Sequence, residues 1–539
     1  MLIRLLVSAR SLLCILRNPM IFKSTKSAVR FSLILMSVFN LVGCDEIAHY
    51  QSKKTMVSKE PSHVETEQVF TTNQLLRGVY SDLTLSMSEL DNDDKAAFLR
   101  DLLEGLVIYD EHGNIEPAVA ESWQTKDNKL WQFKIRPEAK WSNGESVTAR
   151  DFVHSWKFLT QQNTPLKQYL RFINLMNAQA VIDNKMPIDS LGVRALDAHT
   201  LEIQLDKPTP YLPNMLAHIA LLPMKYGKRK EFVGNGAYRF EEQQGKFITL
   251  EKNSEYWNSE NVQFEQVVYQ KLSDSQDVED LDLVMNLAQQ TQANQQIPQL
   301  CTYFYEFNFN DPNLSQSAVR TALVSMISSQ NIVQSENLMM LPINEFLPRN
   351  MLLDDNPTWQ ATLVEQLLQK AGISENKPLQ LKVTYDNTGI HPSIANRIMR
   401  AWSQSDLIRV ISEPVSWEKL QEKRQKGDFQ VIRSGWCADY NEPSAFFQFL
   451  HSMHPDNKAG FKSDEVDQLL EKSLLVKNES ERLAFYRQIE GIIKRERVFL
   501  PIFQYTQPIF LAPDIDGFDK RNPTGVIYSK DLHRKTNSN

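Results

Sequence analysis

The stretch "RSGWCADYNEPS", residues 433–444, crowds a guanidinium, an indole, a thiol and a carboxylate together: Arg433, Trp436, Cys437 and Asp439. A carboxylate between aromatic residues loses hydration, so Asp439 needs a positive partner, either internal (Arg433 or Lys462) or a ligand. Cys437 with His391 could form a thiol–imidazole pair, because both follow predicted strands, but a disulfide would remove that nucleophile. His451 and His454 in "HSMHP" could share a metal, yet no cysteine or acid stands at a compatible spacing, so an exposed pair is expected. The chain has no Gly-x-Ser-x-Gly elbow, phosphate loop, Cys-x-x-Cys or His-Glu-x-x-His. "VGNGAYRF" (residues 233–240) lacks the dinucleotide spacing and reads as a turn between strands. Catalysis therefore has little support, and no metal or cofactor is expected.

The elements that position these residues alternate. Residues 363–371 read as a helix stopped by Gly372, 379–385 as a strand, 393–404 as a helix, and 407–412 as a strand. Residues 417–425 form the next helix and 429–433 the next strand. This β-α-β-α-β order predicts a parallel or mixed sheet with helical crossovers. Such sheets bind ligands beyond the carboxyl ends of their strands, and "SGWCADY" directly follows the strand predicted to end at Arg433. Two helices (464–475 and 480–494) and the strand-like "VFLPIFQY" come later. Earlier, a helix is expected to run to about Leu106, followed by a turn at 111–114. An alternating strand at 130–135 precedes a helix capped by Thr148 with Asp151 in its first turn. No repeat or low-complexity tract is present.

At 539 residues the chain exceeds one ordinary core, so two or three lobes are expected, 42% hydrophobic with 23% charged residues marks a globular protein, and the alternating order above makes it α/β. A net charge of −7 removes nucleic acid from the expected partners. The N-terminal "KSTKSAVRFSLILMSVFNLVGC" has basic residues before an apolar run too short to span a bilayer, as a signal peptide does. A second apolar patch at residues 1–19 is not needed for export, so translation is expected to begin at Met20. Leu41-Val42-Gly43-Cys44 resembles the lipobox of bacterial lipoproteins, which implies cleavage before Cys44, acylation of its thiol, and a polar tether at 44–70. Asp45 resembles an inner-membrane retention signal, so the expected location is the periplasm or cell envelope, anchored to the inner membrane. With Cys14 discarded and Cys44 lipidated, Cys301 and Cys437 remain, either bonded or as two buried thiols, and export favours the bond.

Three further segments carry a family resemblance. "LEGLVIYDEHGNIEPAVAESW" with "FKIRPEAKWSNGESVTARDFVHSW", "NGAYRFEEQQGKFITLEKNSEYW", and "LCTYFYEFN" with "GWCADYNEPSAFF" resemble the extracytoplasmic oligopeptide-binding proteins of bacterial ABC importers. The resemblance covers about Leu75 to Leu532. It implies a type II periplasmic-binding-protein fold of two lobes and three domains around a cleft with a hinge. Domain I would comprise 71–103, 226–300 and 507–539, domain II 104–225, and domain III 301–506. It implies a Cys301–Cys437 disulfide and a role for Asp439 in holding the α-ammonium of a short peptide. Trp436 and Trp417 would line side-chain pockets, Gly435 and Cys437 would stand among the peptide-binding residues, and Arg433, Arg424 and His391 would meet ligand carboxyl groups. Glu306 would border the site. The implied partners are short peptides and permease subunits, and the implied state is a monomer. A murein-peptide receptor and a sensor lipoprotein are the neighbouring readings, and an exported hydrolase using Cys437 is the distant one. The departures are the absence of an early Glu-Pro-x-x-Leu-Asp-Pro, Leu166 in place of a tyrosine, no Asp-Arg pair or assisting basic residue in "TALVSMISSQNIV", and a shortened 225–300 region.

Overall fold

The computed structural model describes residues 73–226, 231–336, 338–353 and 363–535. The signal segment, Cys44 and the tether therefore lie outside the described residues. The fold is mixed α/β. The alternating segment Leu300–Phe307 shows why its main sheet is covered on both faces. Cys301, Tyr303, Tyr305 and Phe307 enter one hydrophobic core, while Leu300 and Phe304 enter another. Helices cover each side: His391–Trp402 sends Ile394, Ile398 and Trp402 into the first core, and Glu479–Glu496 sends Tyr486, Ile489 and Ile493 into the second.

This sheet has eleven strands. Gln74–Val79 pairs in parallel with Gln266–Lys271 and Leu283–Val284, so distant segments share its first half. In its second half Leu379–Asp386 pairs in parallel with both Ile408–Val415 and Val431–Cys437. The predicted parallel crossovers are thus present, within a sheet that is mixed because Gln295–Phe307 runs antiparallel to Val431–Cys437. Residues 120–204 contribute a separate four-stranded sheet. Beside it runs the helix Ala149–Gln161, whose capping box has Thr148 N–H donating to Asp151 Oδ2 at 2.7 Å, as the sequence predicts.

Two boundaries differ from expectation. The helix predicted to reach Leu106 is Asp93–Leu102. It stops there because Gly236 N–H takes the Leu102 carbonyl at 2.9 Å, and a Cβ at Gly234 would stand 2.2 Å from that same oxygen. The two glycines of "VGNGAYRF" thus permit a close backbone approach. The strand predicted to end at Arg433 is Val431–Cys437. Its register with Gln295–Phe307 runs from Phe307↔Val431 to Cys301↔Cys437, so Gly435, Trp436 and Cys437 belong to the strand rather than to the loop after it.

Two strands of 13 residues, Gln295–Phe307 and Phe499–Leu511, join the halves of the sheet. Their ladder loses register between Pro298 and Thr302. The fully buried Gln504 spans this break: its Nε2 donates to Gln299 O at 2.8 Å and its Oε1 accepts from Arg349 N–H at 3.0 Å. Gln504→Leu strands both backbone groups and is expected to lower stability by about 1–3 kcal/mol in urea unfolding.

Candidate functional site

The site is built at the end of Val431–Cys437. Cys437 is bonded to Cys301 across the strand pair, which fixes where the chain leaves the sheet. Two residues on, Asp439 is half-buried. Its charge reaches Tyr109 and Tyr169, adding to the burial that already raises both phenols. Both tyrosines come from the 104–225 segment, so the charge of the carboxylate is felt by elements that do not belong to its own sheet. Tyr169 is held by donating to Met215 O at 3.1 Å and by stacking on His218 with ring centroids 3.7 Å apart. Burial and then Arg100 push His218 down to about 3, so it remains a neutral stacking partner.

Beyond Asp439 the loop is tied down again. Tyr440 stacks on Tyr211 with centroids 5.5 Å apart, and Asn441 Nδ2 donates to Gly113 O at 2.9 Å. Glu442 and Arg482, each about 95% buried, pair at 2.9 Å, and Ser444 N–H donates to Glu442 Oε2 at 2.7 Å. A buried pair of this kind fixes geometry, because either charge alone would be costly. Asp439 is thus suspended between a covalent anchor and an ionic one.

The other sequence-derived residues fall into three groups. Around Asp439, Trp436 donates from Nε1 to Ala445 O at 2.7 Å and packs 4.7 Å from the Phe449 ring. Gly435 opposes Tyr303, and a Cβ there would stand 3.2 Å from Thr302 O. A second group is Glu306 with Arg424, paired at 2.8 Å. The third surrounds Arg433, which is buried: its Nη2 donates to His391 Nε2 at 3.3 Å and to Tyr505 OH at 3.4 Å. Trp417, first residue of the Trp417–Lys426 helix, places its ring 5.6 Å from that guanidinium. Arg433 opposes Tyr305 in the ladder and Glu306 is the next residue, so strand alternation puts these two polar groups on opposite faces of the sheet. Of the residues expected to meet ligand carboxyl groups, Arg433 and His391 therefore stand together, and Arg424 lies apart from them with Glu306.

Sequence reading did not single out Tyr109, Tyr169, Tyr211, Asp386 or the Glu442–Arg482 pair. Only Asp386, an acid five residues before His391, carried a local signal. His451 stands 3.7 Å from Glu471, and no group of three ligating side chains occurs among the described residues.

The description "bacterial extracellular solute-binding proteins, family 5 middle" matches residues 114–458, more than half of the chain. The chain belongs to this family. A Haemophilus influenzae relative that carries only the general name of a binding protein is 48% identical over 514 residues, 95% of this chain and 98% of that one. MppA, a periplasmic murein tripeptide binding protein solved in its unliganded open form, superposes with a TM-score of 0.81 at 30% identity, covering 86% of this chain and 97% of that one. Haemophilus influenzae OppA in complex with RPPGFSPFR gives a TM-score of 0.58 at 28% identity, covering 87% and 100%. The two identities are nearly equal, so sequence divergence does not explain the gap between the scores. The members of the family are binding proteins, and the relatives named as periplasmic place this chain in the periplasm or cell envelope.

Proposed function

We propose that this protein is the solute receptor of an ABC importer, capturing short peptides between two closing lobes and delivering them to membrane permease subunits. One observation carries the reading: a half-buried carboxylate, Asp439, held between two anchors, with its charge reaching Tyr109 and Tyr169 of the 104–225 segment. A carboxylate so placed suits a peptide α-ammonium, through a charge-assisted hydrogen bond that strengthens as closure removes water. Beyond Ile432 the strand leading to it is laddered on one side only among the described residues, which supplies an edge along which an extended peptide can lie, with backbone contacts that tolerate any sequence. Trp436, Gly435, Cys437 and Trp417 would border the side chains. The better fit to an unliganded open form than to a peptide complex accords with a receptor whose ligand favours the closed state. The deciding experiment is mass spectrometry of small molecules released on denaturing natively purified protein. Peptides are expected, and any other class of released solute rejects the proposal.

The receptor works as a monomer tethered through lipid on Cys44 to the inner membrane. Two or more acyl chains hold a protein stably where one does not. Cys44→Ser protein is therefore expected to move from the membrane fraction to the soluble periplasmic fraction, with unchanged peptide affinity.

A further inference from the structure

We infer that Asp386 is a built-in counter-ion that withholds Arg433 from the ligand, so that the receptor reads the amino end of its peptide and is indifferent to a free carboxyl end. This rests on the peptide reading above. Asp386 closes the strand Leu379–Asp386, and His391 opens the helix His391–Trp402 five residues later. Its carboxylate is fully buried, with Oδ1 3.6 Å from Arg433 Nε and Oδ2 3.2 Å from His391 Nε2. Neither carboxylate oxygen, nor Arg433 Nε, makes a hydrogen bond of good geometry among the described residues, so the two charges hold each other chiefly by proximity in a poorly polarisable interior.

Nη2 of the guanidinium is also occupied. His391 and Tyr505 accept from Nη2, the Tyr303 ring lies 4.9 Å away, and only 2% of Arg433 is exposed. His391, pushed down to about 2 by burial and by Arg433, adds no charge of its own. Burial raises the Asp386 carboxyl and the Arg433 guanidinium beside it opposes that rise, so the cluster holds one positive and one negative group. A peptide carboxylate reaching it would lose its hydration and find no uncompensated cation, so it gains nothing over an amide. Arg424 is matched in the same way by Glu306. The ligand class this favours is a peptide fixed by its ammonium and free to end in an acid, an amide or further residues.

Calorimetric titration with matched peptides, one ending in a carboxylate and one in an amide, tests the inference. Wild-type protein is expected to bind both within about threefold of each other. In D386N, Arg433 is left uncompensated, and the free acid should bind at least about tenfold tighter than the amide. A tenfold acid preference in the wild type, or an unchanged ratio in D386N, overturns the inference. A denaturation cycle over D386N, R433M and the double variant gives a second reading: the double variant should recover most of the loss of either single, and simple addition of losses overturns the masking. If neither peptide binds the wild type, the peptide reading falls and the cycle alone judges the pairing.

Discussion

Asp439→Asn protein is expected to fold normally and to lose peptide affinity by about 2–5 kcal/mol, roughly thirtyfold to several thousandfold. The substitution keeps the shape of the side chain and removes only its charge. The loop that carries it stays fixed by the Cys301–Cys437 bond upstream and the Glu442–Arg482 pair downstream. What disappears is the attraction between an enclosed carboxylate and the ligand ammonium, which counts for more once closure has excluded water. Titration calorimetry with a peptide and its N-acetylated form separates this from a general loss of the site. Acetylation should weaken wild-type binding by a similar factor and should weaken the variant little further, because the same pair cannot be lost twice. Binding of the free peptide to the variant within about threefold of wild type would mean that the ammonium is held elsewhere.

The sheet was legible because its strands follow simple apolar rules, and the site was legible only where it carried a local pattern. Leu379, Leu381, Val383 and Tyr385 alternate with more polar residues, and all four enter one core. Thr148 and Asp151 announced their helix because a capping box is a purely local device. The strand through Cys437 reads short from sequence because Ser434 and Gly435 break the apolar run and a glycine weakens a strand on its own. Pairing to Gln295–Phe307 overrides that local weakness, an effect no single segment reveals. Asp439 stood out through its neighbours Cys437 and Trp436. Tyr109 and Tyr169, which its charge reaches, lie hundreds of residues away with nothing local to mark them. Asp386 was missed because an acid between a strand and a helix reads as turn chemistry, and only the fold brings Arg433 against it.

Reduction of the Cys301–Cys437 bond, or its removal in a double serine variant, is expected to lower unfolding stability by about 2–5 kcal/mol. The two cysteines are 136 residues apart, and chain entropy for so large a closure sets an upper estimate of about 5 kcal/mol, acting mainly on the unfolded chain. In the folded chain the bond ties the strand Gln295–Phe307 to Val431–Cys437 at Cys301, directly beside the register break that begins at Pro298. The ladder from Thr302↔Trp436 to Phe307↔Val431 remains without it, and so does the Glu442–Arg482 pair, so the ammonium site should keep its shape. Reduced protein is therefore expected to unfold at distinctly lower urea while losing less peptide affinity than Asp439→Asn protein. An equal urea midpoint with and without reductant would show that the pairing of the strands alone fixes this corner. Loss of affinity as large as that of the charge variant would show instead that the covalent anchor, rather than the buried ion pair, sets the position of the carboxylate.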